Sequence, residues 1–330
     1  MMFMQSRTGG KTLPILAILA SVLGLAGCVG HGARWVEPES GPKRREASRK
    51  ELLGVLEQQM NRLATLSAKV NITIVKQDIL LPASVTDDLL RVTGKPYHKR
   101  FLRGEVTGLL FLSRAPDGSR KIRFSGEVTG ASAHFLLLGK NNDFWVVPPD
   151  AQDEKDKDKK DASRGRVFVG TVDRRGIRPN DLFSVRPQDV EDMLLNDEVY
   201  SVLHGEMICF VETWPDYYVM NFIRPDWPEN LYSRIWIERV NGTVAIHQLF
   251  DGSGNIVAEG RFRDYKEHFG KGSSLTADIP VRVDFLWPRD QLILQCELSN
   301  IKVNEQIRSD VFEPKLTGYK EVRVPATAEP

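Results

Sequence analysis

The sequence predicts a mainly β (α+β) fold: a strongly curved antiparallel sheet, or incomplete β-barrel, of about ten to twelve strands, with an N-terminal helix and a second helix covering the concave face. Three observations carry this expectation. From about residue 105 onwards, short runs rich in β-branched and aromatic residues follow one another, separated by turn residues. Within these runs apolar and polar side chains alternate, giving each strand one dry and one wet face, as antiparallel sheets allow. Only two stretches carry the 3.6-residue apolar spacing of an amphipathic helix.

The first of those stretches begins at Ser48-Arg49-Lys50-Glu51, a capping box in which serine and glutamate satisfy each other's backbone amides. Leu52, Leu56, Met60, Leu63 and Leu66 then recur at spacings of four and three, predicting a helix over 48–66. The period changes at once to two, with Ala68, Val70, Ile72 and Ile74 on the dry side of a strand. Strand runs follow at 105–113, 120–128, 133–138, 143–147 and 167–172, with turn chemistry at Asp117-Gly118 and Asn141-Asn142. The mixed-charge run 153–161 has nothing to bury and predicts a solvated, disordered insertion near 151–166. The second helix is expected over 187–195, with Pro187 in the first helical position and Asp189 and Glu191 complementing the helix dipole. Val190, Met193 and Leu194 form its apolar side.

Strands resume at 207–213, 217–223, 231–240, 243–250, 255–265, 279–287 and 291–299. Asn241-Gly242 is the strongest hairpin signal, a two-residue type I′ connection. That register sets Val240 opposite Thr243 and Ile237 opposite Ile246, with Ile235, Ile237, Val244, Ile246 and Phe250 on the dry face. Arg234, Trp236, Glu238 and His247 fall on the wet one. In the last hairpin, Val281, Val283, Phe285 and Trp287 share a side, as do Leu292, Leu294, Cys296 and Leu298. No repeat of fixed period is present, which argues against a propeller or solenoid.

The N-terminus carries a targeting signal. Arg7 and Lys11 precede an apolar run from Leu13 to Ala26, and no acidic residue occurs before Glu37. The run is about 14 residues, shorter than the roughly 20 that span a bilayer. It ends in Leu25-Ala26-Gly27-Cys28, which resembles the bacterial lipobox. That resemblance implies cleavage before Cys28, a thioether-linked diacylglycerol on its sulfur, and acylation of the new amino terminus. Two or more acyl chains give stable anchoring. Val29, where an Asp would favour inner-membrane retention, points to the outer membrane, with the domain facing the periplasm.

The expected organisation is a signal peptide at 1–27, lipidated Cys28 and a flexible tether to residue 47, a single β domain over 48–322, and a flexible tail at 323–330. Lys and Arg number 45 against 44 Asp and Glu, so the basic excess of a nucleic-acid binder is missing. Cys209 and Cys296 are the other cysteines; an exported location permits a disulfide between them, while their place on core strands equally suits two buried thiols.

The passage Leu63-Ala64-Thr65-Leu66-Ser67-Ala68-Lys69-Val70, the alternating hairpins, and the tail Asn300-Ile301-Lys302-Val303 leading to Val311-Phe312-Glu313-Pro314 resemble the LolA/LolB-like superfamily of lipoprotein carriers over 48–322. The resemblance implies an incomplete barrel plugged by helices, with an apolar cavity that accepts acyl chains. The lipid anchor makes this chain similar to a stationary member rather than a diffusing carrier, and the charged insertion departs from the compact pattern. No single position matches a lipid-binding residue of the family.

Catalytic signatures are missing: the sequence holds no C-x-x-C, H-E-x-x-H, P-loop or G-x-S-x-G pattern, so no enzyme activity, cofactor or metal is expected. His134 and His247 are read as surface or hydrogen-bonded strand residues, and Asp189, Glu191 and Asp192 as the structural start of a helix. Three Trp-Pro steps fall at strand ends, where proline stops ladder pairing. The candidate ligand-binding set is therefore Trp214, Trp227 and Trp287 at the rim of an apolar opening, Phe222 and Phe285 deeper in, and Ile237, Ile246 and Leu294 on its wall. The same rings could instead cap the core, each beneath its own turn. Two functions follow: an envelope lipoprotein that binds lipid or lipoprotein acyl chains in a cavity, or an interaction lipoprotein with a filled core that docks on another envelope component.

Overall fold

The capping box at Ser48 forms as expected: its Oγ accepts the Glu51 amide at 3.3 Å, and Glu51 Oε2 accepts the Ser48 amide at 2.7 Å. It starts helix α1 (Arg49–Arg62) in the computed structural model, which describes residues 44–76, 105–115, 119–128, 134–147, 166–171, 186–225, 231–270, 276–290 and 292–323. Cys28, the Asp117-Gly118 turn, the charged run 153–161 and Trp227 lie outside the described residues. The helix is shorter than the expected 48–66, because strand β1 (Thr65–Lys76) begins sooner. Leu66 consequently belongs to the sheet, where it points inward beside Ala68, Val70, Ile72 and Ile74.

After β1 come β2 (Glu105–Arg114), β3 (Arg120–Val128), β4 (His134–Lys140), β5 (Asp143–Val147) and β6 (Arg166–Thr171). Helices α2 (Pro187–Leu195) and α3 (Glu198–Leu203) follow. Then come β7 (Ile208–Thr213), β8 (Tyr217–Ile223), β9 (Leu231–Glu238), β10 (Val244–Phe250), β11 (Ile256–Phe269), β12 (Thr276–Trp287), β13 (Leu292–Val303) and β14 (Lys320–Arg323). The described strands form one sheet of fourteen, more than the ten to twelve expected, in the order β14-β6-β5-β4-β3-β2-β1-β13-β12-β11-β10-β9-β8-β7. Every pairing is antiparallel except β14 with β6. The sheet is long, curved and not closed, with β1 and β13 at its middle joining the two ends of the domain.

The curvature brings inward-facing residues from both halves into one core that includes Leu56, Val70, Leu112, Phe124, Ile237 and Phe285. Helix α2 touches β3, β4 and β5 from one half and β10 and β11 from the other. Glycines permit this approach on both sides. A Cβ at Gly139 of β4 would lie 3.2 Å from the Pro187 Cβ, and one at Gly260 of β11 would lie 3.2 Å from the Met193 sulfur. Helix α1 is fastened at its two ends: Arg49 donates to the Cys209 carbonyl at 3.1 Å, and Asn304 Nδ2 donates to the Arg62 carbonyl at 2.8 Å.

One expected register is wrong, and the error has consequences. A two-residue connection occurs at Asn141-Asn142, where Lys140 pairs with Asp143. At Asn241-Gly242 the loop is longer, because Asn241 Oδ1 accepts both the amide and the hydroxyl of Thr243, at 2.9 and 2.7 Å. Val244, not Ile246, pairs with Ile237; Ile246 then pairs with Trp236, leaving Ala245 as an extra residue. A single inserted residue reverses the faces beyond it. Ile246 is turned to the outer face, and His247 enters the core at 0% exposure.

Candidate functional site

The space between sheet and helices holds two kinds of surface. Helix α2 looks amphipathic in sequence, yet seven of its nine residues are buried, among them Gln188, Asp189 and Glu191. It threads the core, so each polar side chain needs a partner. Gln188 Nε2 donates to the Asp143 carbonyl at 3.1 Å, and Trp287 Nε1 donates to Asp189 Oδ2 at 3.3 Å. Arg120 of β3 reaches Asp192 at 2.5 Å and Asp197 at 2.6 Å. Glu198, at the start of α3, receives His247 Nε2 at 3.0 Å.

Glu191 is the exception: it is fully buried, and neither carboxyl oxygen has a hydrogen-bond partner. Burial pushes its pKa up to about 8, against the pull of Arg120. Burial likewise raises Asp192 to about 6 in spite of its arginine. For His247 burial opposes the charge, but the Glu198 carboxylate outweighs it and the pKa rises; Glu198 is lowered in return, again against burial. Sequence reasoning left the acids with a structural role at a helix start and His247 on a wet strand face. Only the closeness of three acids to Val190 and Met193 hinted that the helix has no wet side.

The second surface is mostly apolar. Where the C-terminal ends of α1 and α2 meet β11 and β12, Met60, Leu63, Met193, Leu195, Phe262 and Ile279 line a cavity of about 50 Å³, with Gln59, Arg62, Asn196 and Asp278 also on its wall. That volume suits a water molecule or two, at roughly 30 Å³ each in the liquid, and is too small for an acyl chain. Tyr265 closes one side by donating to the Val244 carbonyl at 2.8 Å.

Of the expected binding residues, Phe222, Ile237, Phe285, Trp287 and Leu294 are all buried in the common core. Phe285 and Trp287 are neighbours, with ring centroids 6.3 Å apart. Trp214 and Ile246 are not with them. Trp214 is 48% exposed and packs 5.5 Å from Trp236, on the opposite face of the sheet. Ile246 shares that face through the register slip. Cys209 and Cys296 are both buried free thiols. Among the described residues no group of three or more His, Cys, Asp or Glu is placed to hold a metal ion.

An open, curved sheet filled by helices defines a class of proteins that is predominantly β and built around its concave face. No family model matches the chain, and no curated relative does. Solved structures of low identity do. A DUF1329 family protein from Desulfovibrio piger is 11% identical, with a TM-score of 0.47 over 80% of this chain and 95% of that one. A putative outer membrane lipoprotein-sorting protein domain from Vibrio parahaemolyticus is 10% identical, with a TM-score of 0.46 over 80% and 96%. A LolA superfamily protein from Nitrosomonas europaea is 12% identical, with a TM-score of 0.42 over 82% and 99%.

Proposed function

We propose that this chain is a non-catalytic lipoprotein of the cell envelope, anchored through a lipid on Cys28, which takes acyl chains of lipids or lipoproteins between its helices and its sheet. The observation that carries the reading is the apolar seam at the C-terminal ends of α1 and α2. Two unbranched methionines, Met60 and Met193, border it, and such side chains re-pack at little cost. The hydrogen bonds that hold α1 lie at its ends, so its middle rests on apolar contacts that have no fixed direction. Entry of a chain requires α1 and α2 to part, widening the 50 Å³ cavity several-fold. Phe262, Phe285 and Trp287 then supply the wall.

The test is native mass spectrometry of the purified protein, followed by titration with a fluorescent long-chain fatty acid. Saturable binding, lost when Met193→Trp fills the seam, is the expected result. A protein that carries no lipid and shows no saturable signal overturns the reading. The small size of the cavity favours a second reading, a filled core whose outer surface docks on another envelope component; the same negative result would support it.

A further inference from the structure

We infer that the outer face of the sheet around its β7 edge rests on the surface of a lipid bilayer. Nine large hydrophobic side chains are exposed among the described residues; Ile208, Phe210 and Trp214 fall on β7 and the turn after it, and Tyr200 and Leu203 stand just before it on α3. Among the described residues β7 pairs only with β8. Cys209 points into the core, so Ile208 and Phe210 on either side of it point out, at 55% and 42% exposure. Trp214 continues that face by leaning on Trp236, and the Tyr217 ring meets Trp236 edge-on at 5.8 Å. Aromatic rings with one polar group suit the boundary between headgroups and hydrocarbon.

The occupant is indicated by where the chain enters the domain. Arg44 is paired with Asp216 at 3.1 Å, the Arg45 amide donates to the Arg239 carbonyl at 2.9 Å, and the Ala47 amide donates to the Tyr218 hydroxyl at 2.7 Å. Those partners lie in the β7–β8 turn, on β8 and just after β9, next to β7. Fifteen residues separate Cys28 from Arg44. Whatever their conformation, fifteen residues reach at most about 50 Å. A lipid on Cys28 thus keeps this end of the sheet within one short tether of the bilayer, and the apolar face is available to meet it. The inference rests on the anchor proposed above. Glu206 and Glu212 accompany the patch and offset Arg44 and Arg49 beside it, so the contact is apolar rather than basic. It needs no anionic lipid and is insensitive to salt.

The full lipidated chain, reconstituted into phosphatidylcholine vesicles, tests this with lipids brominated near the headgroup as tryptophan quenchers. Wild type should be quenched, equally at low and high salt. Measured in a Trp35→Phe background, Trp214→Phe should lower that quenching, and Phe210→Ser should reduce it at least about two-fold with circular dichroism unchanged. The mass of the N-terminal peptide from the same preparation reports on Cys28. If Cys28 carries lipid and the Trp214→Phe variant is quenched as strongly as wild type, the docking inference is overturned while the anchor stands. If Cys28 is unmodified, the anchor and the inference built on it both fall. An unquenched protein that cross-links to a second copy through β7 also overturns it.

Discussion

Glu198 and His247 meet at 3.0 Å, oxygen to Nε2, where neither is reached by water. The pair joins α3 to β10, and His247 Nδ1 lies 3.4 Å from the Met193 carbonyl, adding the end of α2. Removing one partner leaves the other buried without compensation, which costs about 3–5 kcal/mol. His247→Leu should therefore destabilise by about that much, and adding Glu198→Leu should recover most of the loss. Urea unfolding of the two variants checks this; equal loss in both would show that the pair is not coupled.

The raised acids give the domain a definite pH dependence. A group whose folded pKa lies above its unfolded value lends stability at low pH and loses it as pH rises towards the folded value. For Glu191 that window runs from 4.5 to about 8, and for Asp192 from 3.8 to about 6. The raised His247 acts in the same direction, its contribution falling as pH climbs past 6.5. Each full proton difference is worth about 1.4 kcal/mol per pH unit. Stability should thus decline between pH 5 and pH 8, and Glu191→Gln should flatten the slope and stabilise the protein at pH 8. Unfolding midpoints at pH 5, 6.5 and 8 decide it, and an unaltered slope in the variant would sink the assignment.

Trp287→Phe keeps an aromatic ring in the core and withdraws the donor from Asp189, a carboxylate that is 4% exposed. The expected cost is about 0.5–1.5 kcal/mol, that of one buried hydrogen bond, as read by thermal unfolding.

Leu56 is wholly buried at the centre of α1, under the curve of the sheet. Leu56→Ala should cost about 2–5 kcal/mol, the span for leucine truncation in a packed core. A loss well under 1 kcal/mol would mean that α1 already stands away from the sheet in solution, which is also the opening required for acyl chains to enter.

Periodicity made the strands legible and position made them less so. The runs from Ala68 to Ile74, from Val283 to Trp287 and from Leu294 to Leu298 face inward as their alternation implies, because a sheet with one covered side imposes that period. The α2 boundaries were equally plain, since Pro187 starts the helix and Asn196 ends it in the left-handed region at φ 53°. What could not be read was the bulge at Ala245, which depends on how Asn241 folds onto Thr243 and which decided whether Ile246 or His247 entered the core. The polar interior was hidden for a related reason: acids on a short helix look solvated until something covers them, and their cover comes from strands up to 98 residues away, as in Trp287 to Asp189. Helix α3 and the parallel β14 carry no periodic signal of their own.

The pairing of β1 with β13 at the middle of the sheet also bears on how the chain is made. Val70 and Ile72 acquire their partners on that side only from Leu298 and Cys296, more than two hundred residues later. While the ribosome is still at work, the half formed by β1 to β6 has an exposed edge and no lid, since α2 comes after it. Contacts between such distant residues form slowly, and uncovered strand edges invite aggregation in the interval. The topology therefore delays completion of the sheet until synthesis is nearly finished, since that edge of β1 has no partner before β13.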